Sequence, residues 1–291
     1  MIKTLTLLLC LCLSSVICQT ATAQDENSLL WKISGKGLKQ PSYLFGTIHL
    51  MCPQDIKITE TMQAAITACD QMVLELDMDD PGIMREMMAT SQMQDGTTIR
   101  SLLSEEDYQL LEDFLMDSLG MPLPAMASMK PMLLSTVVML PVLECQPGSY
   151  ELSLVSAAQE QDMEILGLET VADQAAIFDA IPLTEQGEYL VESIRTYEKT
   201  TEETREMIRL YQEENVNELY RLIHESMADV EAGEDALLTN RNRKWIPSME
   251  EMAQENPTFF AVGAGHLGGP EGVITLLRKA GYQVEAVHET L

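Results

Sequence analysis

The sequence predicts an α/β (α+β) fold, with a central, largely parallel sheet built from both chain ends and a large helical insertion. Short apolar segments with the character of strands occur towards both ends of the 291-residue chain, and the stretches between them have helical spacing. The predicted strands are 43–46, 72–76, 163–166, 258–262 and 282–287. The order of strand, helix and strand over 43–76 predicts a parallel pair joined by a crossover helix.

The first 23 residues have the pattern of a signal peptide. Lys3 gives a positive start, 5–17 is almost entirely apolar, and 21–23 (ATA) is a small-x-small cleavage site. The apolar run is shorter than the roughly 20 residues needed to span a bilayer. We therefore expect cleavage after Ala23, export to the periplasm or the cell exterior, and a mature chain without a membrane span.

Residues 24–291 are expected to form a single domain, because one core usually stops growing at about 250–300 residues. The helical insertion is expected at about 184–255, where a long amphipathic stretch has a glutamate-rich outer face. Ser104 is a candidate N-cap, and Gly120 ends the helix that follows. Helices are predicted at 56–69, 104–120, 129–143, 152–161, 236–252 and 270–280.

The composition is strongly acidic, with 18 basic and 46 acidic residues and a net charge of −28. A field of this sign repels nucleic acid and anionic lipid, so we expect neither as a partner. It favours cations, either metal ions or basic peptides, although solubility outside the cytosol is the simpler explanation.

Two predicted strands end in the same Gly-x-x-His sequence. Strand 43–46 leads into 46–49 (GTIH), and strand 258–262 leads into 263–266 (GAGH). Ligands in open parallel sheets bind beyond the carboxyl ends of the strands. If these two strands are neighbours, His49 and His266 face one crevice.

Two other strands end in carboxylates, Glu75 and Glu169. A glutamate in a buried strand is costly unless it is paired, hydrogen-bonded or bound to a metal. His49, His266 and Glu75 are thus candidate ligands of a divalent transition metal (Mn, Co or Zn), with Glu169 or Glu75 as general base.

A basic cluster on the helix at 236–252 provides two more candidate catalytic residues. Arg241, with Asn242 beside it, would hold a substrate carboxylate or a developing oxyanion. Alternatively, Glu75 simply pairs with Arg241, which would still place Arg241 in the site. His224 and His288 are interpreted as structural or surface residues.

These segments resemble the TraB/GumN family, which belongs with the Tiki-type proteases and, more distantly, with erythromycin esterase-like proteins. The matching segments, in family order, are 43–49, 73–77, 167–170, 241–242 and 262–267. The resemblance implies an active centre of the two histidines and the glutamate of the second strand. It also implies metal dependence and protease activity for Tiki-like members, and a metal-free histidine base for esterase-like ones. One departure is Tyr150-Glu151, where relatives commonly carry an aspartate.

The resulting hypothesis is an exported hydrolase that cleaves a peptide or a small-molecule ester. One alternative is a non-catalytic protein that sequesters a peptide or a porphyrin in the same crevice. A second alternative is dinucleotide binding, because Gly263-x-Gly265-x-x-Gly268 follows a strand and Glu285 lies downstream. Export away from the nicotinamide pool and the position of His266 count against it.

Three cysteines follow the predicted leader. Cys52 and Cys145 are expected at the edge of the sheet that carries the site, whereas the helix at 56–69 takes Cys69 to the opposite edge. We therefore predict a Cys52–Cys145 disulfide and a buried free thiol at Cys69.

Overall fold

The structure is a computed structural model that describes residues 27–226 and 235–289. The predicted signal peptide lies outside the described residues. In the described ranges, no helix combines the length and the apolar character that crossing a bilayer requires.

The described residues contain a mixed six-stranded sheet in the order β4-β3-β5-β2-β1-β6. The pairs β4–β3, β3–β5 and β5–β2 are parallel, and β1 runs antiparallel to both β2 and β6. All five predicted strands are confirmed, as is a largely parallel sheet built from both chain ends. The strands are β1 Leu30–Gly35, β2 Ser42–Thr47, β3 Gln71–Leu74, β4 Glu164–Gly167, β5 Thr258–Gly263 and β6 Tyr282–Ala286.

The order of the strands differs from the prediction in two respects. β1 is absent from the predicted strands, although its apolar residues alternate with Lys32 and Ser34 in the pattern of a half-buried strand. The predicted direct pairing of β2 with β3 is wrong, because β5 lies between them and pairs with both. The strand from the far end of the chain therefore occupies the centre of the parallel part.

Helices fill the connections between the strands. Ser104 accepts a hydrogen bond from the Asp107 N–H and Gly120 adopts a φ of 65°, so both predicted ends of α4 are confirmed. The helix predicted at 129–143 ends earlier, and a 3-10 turn that contains Pro141 completes the segment. The α-helices are α1 Glu60–Thr67, α2 Ile83–Thr90, α3 Ile99–Leu102, α4 Glu105–Leu119, α5 Pro131–Met139, α6 Tyr150–Gln159, α7 Val171–Asp179, α8 Leu183–Arg195, α9 Tyr197–Gln212, α10 Val216–Ser226, α11 Asn240–Glu255 and α12 Val273–Lys279.

The buried apolar residues form two clusters. The larger one joins the sheet to α1, α6 and α9–α12, with Trp245 of α11 fully buried in it. The smaller one packs α3, α4, α5 and α8 together around residues such as Leu111 and Leu190. Helices from the segment predicted as an insertion, 184–255, thus contribute to both clusters. The assignment of 24–291 to a single domain stays a prediction.

The cysteines are arranged as predicted. Cys52 and Cys145 form a disulfide with their Cα atoms 5.8 Å apart. Cys69 is a buried free thiol, and burial raises its pKa to about 12. The disulfide connects the loop after β2 to the loop before α6.

Candidate active centre

All six predicted site residues meet at the carboxyl edge of the parallel strands, four of them from the strand ends and Arg241 and Asn242 from α11. Thr47 pairs with Gly263 in the parallel ladder between β2 and β5, so both Gly-x-x-His segments leave the sheet side by side. The backbone N–H of Glu169 donates to the carbonyl of Glu75 at 3.0 Å, which joins the ends of β3 and β4. The six side chains are those of His49, Glu75, Glu169, Arg241, Asn242 and His266.

The first glycine of each Gly-x-x-His segment leaves room for the other segment. A Cβ on Gly46 would lie 2.7 Å from the Leu267 Cδ1 and 3.1 Å from the Ala264 Cα. A Cβ on Gly263 would lie 3.3 Å from the Glu75 Oε1, 3.6 Å from the His266 Cδ2 and 3.9 Å from the His49 Nε2. Both imidazoles and the carboxylate therefore surround one point beside Gly263.

His266 is buried and its ring is held by Asn242. The Asn242 Nδ2 donates to the carbonyls of His266 (3.3 Å) and Glu271 (2.8 Å), so its Oδ1 is an acceptor. The His266 Nδ1 lies 2.6 Å from that oxygen and must carry the proton. Burial and the charge of Arg241 lower the pKa of His266 to about 3. The neutral ring thus presents the lone pair of Nε2 to the site.

His49 is the exposed member of the pair, with 69% of its side chain accessible. Its Nδ1 donates to the Glu151 Oε1 at 2.8 Å, which turns Nε2 towards the point beside Gly263. The hydrogen bond with Glu151 raises the pKa of His49 to about 9. Without a metal the ring is therefore protonated at neutral pH, and a metal that bound Nε2 would release that proton.

Glu75 is an ionised carboxylate whose two oxygens have different partners. Oε1 accepts from the Gly263 N–H at 2.8 Å and lies 3.8 Å from the His266 Nε2. Oε2 accepts from Arg241 at 2.5 Å and from the Gln174 Nε2 at 3.1 Å. Burial raises the pKa of Glu75, but the positive charges of Arg241 and His49 and the hydrogen bond from the Gly263 N–H outweigh it and lower the pKa to about 2.

Arg241 bridges the two buried carboxylates, as the pairing alternative predicts. Its guanidinium donates to Glu75 and to both oxygens of Glu169, and its Nη1 lies 3.0 Å from the His266 Nε2. The guanidinium also lies over the ring of Trp245, 4.8 Å from its centroid. A positive charge therefore lies among the candidate metal ligands.

Glu169 is saturated with hydrogen bonds. Besides Arg241, it accepts from the Gln174 Nε2 at 2.9 Å and the Trp245 Nε1 at 3.2 Å, and 2% of its side chain is exposed. These contacts hold Arg241 in place. Glu75 is the carboxylate that faces the histidines.

The donor set suits a divalent transition metal. In the described ranges, no group of three or more His, Cys, Asp or Glu side chains has the spacing of a formed metal site. The guanidinium of Arg241 binds Glu75 and lies against the His266 Nε2. Two atoms that share an ion through bonds of about 2.0–2.2 Å lie at most about 4.3 Å apart, and the His266 Nε2 and Glu75 Oε1 meet that limit at 3.8 Å. The donor types and this distance are compatible with a shared ion at His266 and Glu75.

The glycine-rich segment after β5 does not have the geometry of a dinucleotide site. A 3-10 turn, 264–266, follows the strand, and α12 begins only at Val273. A Cβ on Gly268 would lie 2.4 Å from the Val216 carbonyl oxygen, because α10 packs directly over this loop. The place where a pyrophosphate would approach is covered. His224 and His288 are exposed, as predicted.

Three residues of the centre are not predicted from the sequence: Glu151, Gln174 and Trp245. Trp245 follows Arg241 by one helical turn of α11, and this spacing indicates that both side chains lie on the same face of the helix. Gln174 lies in the first turns of α7, immediately after Glu169. Glu151 belongs to the segment that departs from the family pattern, and its contact with His49 joins two loops that are distant in the sequence.

Sequence comparison identifies the class of protein. The TraB/PrgY/gumN family profile matches residues 29–286, and the chain belongs to this family, as the resemblance indicated. Among curated relatives it is similar to "Metalloprotease TIKI2" of Danio rerio, at 25% identity over 90% of this chain and 61% of the relative. It is also similar to "Metalloprotease TIKI1" of Danio rerio, at 24% identity over 92% of this chain and 65% of the relative.

A shorter match covers 34% of the chain, at 31% identity to 21% of "Metalloprotease TIKI homolog" of Nematostella vectensis. The chain therefore spans less than two thirds of the length of these relatives. No solved structure matches it.

Proposed function

We propose that this protein is an exported, metal-dependent hydrolase that cleaves peptide or ester bonds at a centre formed by His49, His266 and Glu75. The observation that carries the proposal is that the Glu75 Oε1, the His266 Cδ2 and the His49 Nε2 all lie within 3.9 Å of the position that a Cβ on Gly263 would take. Each histidine is oriented there through its Nδ1, His49 by Glu151 and His266 by Asn242. Such second contacts are typical of histidines that bind metals. The matched relatives are named metalloproteases.

A bound Mn²⁺, Co²⁺ or Zn²⁺ would supply a positive charge that polarises the scissile carbonyl and acidifies a water molecule. Glu75 is ionised and faces the histidines, so it accepts the proton of the attacking water as general base. Glu169 has no free acceptor position comparable to that of Glu75 and holds Arg241.

Arg241 stabilises negative charge in this proposal. Its guanidinium is held by Glu169 and lies beside the His266 Nε2, so it would donate to the oxyanion that develops on the substrate carbonyl. Asn242 acts through His266, because its amide donates to two carbonyls and its oxygen accepts from the ring. The substrate approaches from the side of His49, where the centre is exposed.

Export is supported by two features. The leader pattern of 1–23 ends in a cleavage site. The Cys52–Cys145 disulfide is of the kind that persists in oxidising compartments.

One observation favours a second candidate function, a binding protein without turnover. The Arg241 guanidinium pairs with both Glu75 and Glu169, so these two buried carboxylates are already neutralised within the protein. In a binding protein, loss of one histidine would weaken ligand binding gradually. In a hydrolase, the same change would abolish turnover.

The test uses the full mature protein purified without chelator. Its metal content is measured by mass spectrometry, and hydrolysis of casein and of p-nitrophenyl acetate is measured before and after chelation. We expect about one divalent ion per chain, loss of hydrolysis on chelation, and loss in His49→Ala and His266→Ala but not in the surface control His288→Ala. Full activity in metal-free protein would contradict the metal-dependent mechanism and favour a histidine as the general base. Absence of hydrolysis despite a bound ion would favour the binding protein.

A further inference from the structure

We infer that Glu151 is the positioning residue of His49, and that the Cys52–Cys145 disulfide fixes the loop that carries Glu151. This inference rests on the proposed function for its effect on catalysis, but the contact itself stands without it. The two residues come from different loops, the one after β2 and the one at the start of α6. No sequence motif of the centre includes Glu151.

The carboxylate of Glu151 is oriented by three donors. Its Oε1 accepts from the Thr47 Oγ1 at 2.7 Å and from the His49 Nδ1 at 2.8 Å. Its Oε2 accepts from the Ser149 Oγ at 2.6 Å. Because both oxygens are engaged, the carboxylate has one orientation, and Thr47 aligns it with the end of β2.

The position of Glu151 in the chain also favours a carboxylate there. Ser149 is the N-cap of α6, and Glu151 lies in the first turn of this ten-residue helix. The partial positive charge at a helix N-terminus stabilises a negative side chain in the first turn. The helix N-terminus and the hydrogen bond from Ser149 therefore favour the carboxylate of Glu151 in addition to its contact with His49.

Two connections hold the loops of His49 and Glu151 against each other. Met51 and Gly148 exchange a pair of backbone hydrogen bonds, of 3.2 Å and 2.7 Å. The disulfide between Cys52 and Cys145 links the same two loops covalently, next to this pair of hydrogen bonds. A Cβ on Gly148 would lie 2.9 Å from the Ile56 Cδ1, so the two loops are closely packed as well.

The ring orientation of His49 depends on these loop contacts more than the ring orientation of His266 does. The ring of His266 is buried and lies 4.5 Å from the ring of Trp245, so packing and Asn242 both fix it. The ring of His49 is largely exposed, and Glu151 is the partner that holds it within the described residues. An exposed imidazole without that acceptor would sample other rotamers and turn Nε2 away from the centre.

The experiment compares Glu151→Ala, Glu151→Gln and the control Glu144→Gln in the full mature protein. Gln keeps an acceptor oxygen for Thr47 and His49, whereas Ala removes it. Glu144 is an exposed glutamate of the same loop region that pairs with Arg205 on the surface. We expect Zn²⁺ affinity to fall about 10–100-fold in Glu151→Ala, to be largely restored in Glu151→Gln, and to be unchanged in Glu144→Gln.

Three further measurements separate positioning from a loss of folding or of the proposed function. Melting temperatures show whether Glu151→Ala is folded, and we expect its kcat to fall while its KM changes little. Crystal structures of metal-free wild type and Glu151→Ala show the His49 ring directly, whether or not the protein binds metal. An unmoved ring in Glu151→Ala, or equal Zn²⁺ affinity in all variants, would overturn the inference. A displaced ring in a protein that binds no Zn²⁺ would uphold the positioning and refute the metal-dependent function.

Discussion

Gly46 lies directly against Ala264: a Cβ on Gly46 would lie 3.1 Å from both the Cα and the Cβ of Ala264. The contact joins the start of the first Gly-x-x-His segment to the middle of the second. It exists because β2 and β5 are parallel neighbours whose registered pair Thr47–Gly263 ends the ladder. The spacing between the two histidines is thus set by backbone packing, before any side chain of the centre is considered.

Replacing Gly263 or Gly46 by alanine should have different consequences, the first for the site and the second for stability. Gly263→Ala places a Cβ among Glu75, His266 and His49 at 3.3–3.9 Å, with a backbone φ of −51° that alanine tolerates. We expect a melting temperature close to wild type and at least a tenfold loss of Zn²⁺ affinity and hydrolysis. Gly46→Ala instead overpacks the turn at 264–267 and should lower the free energy of unfolding by about 1–3 kcal/mol. Normal Zn²⁺ binding in Gly263→Ala would contradict the position assigned to the ion.

Removing Arg241 should make stability depend on added cations. Arg241→Met leaves Glu75 and Glu169 buried without their shared cation, and breaking such a pair costs about 3–5 kcal/mol. A divalent ion that binds only the folded state restores about 2.7 kcal/mol at 100 times its Kd. Urea unfolding with and without Mn²⁺ or Zn²⁺ measures both effects. Identical curves with and without the ions would exclude Glu75 as a ligand in the variant.

Buried His266 should make the metal-free protein less stable at mildly acidic pH. Its pKa is about 3 in the folded protein against 6.5 in the unfolded chain, so the unfolded state takes up the proton first as the pH falls. Stability should therefore decrease from pH 6.5 towards pH 3. Between pH 6.5 and 5 the depressed carboxylates, Glu75 and Glu151, do not yet contribute, since their ordinary value is 4.5. Urea unfolding over that window should show a clear slope in wild type and a smaller one in His266→Gln; equal slopes would contradict the burial of a neutral ring.

Loss of the disulfide should lower the free energy of unfolding and loosen the contact between Glu151 and His49. Cys52 and Cys145 are 93 residues apart, and removing a native disulfide of this kind costs about 2–5 kcal/mol. The double variant Cys52→Ser, Cys145→Ser should lose that much unfolding free energy. The control Cys69→Ala, in which the buried free thiol is shortened, should keep the Zn²⁺ affinity of wild type, whereas the double variant should not. Peptide mapping under non-reducing conditions that found Cys69 in a bridge would contradict this pairing.

The parts of the site that follow from strand ends could be predicted from the sequence. The repeated Gly-x-x-His context identifies His49 and His266. The direction of the strands predicts that Cys52 and Cys145 lie at the edge of the sheet that carries the site. The position of β5 between β2 and β3 could not be predicted, because the pairing of distant strands leaves no local pattern. Glu151 was missed for the same reason, since its contact with His49 arises only when two loops meet.

The disulfide also makes part of the chain a covalent ring. β3, with Glu75 after it, and the helices α1–α5 lie inside the ring, whereas His49 and Glu151 lie just outside its two ends. A protease that cut one exposed loop of this ring would leave the two fragments joined through sulfur. The nicked protein would keep Glu75 and both histidines in one molecule, and its fragments would separate only after reduction.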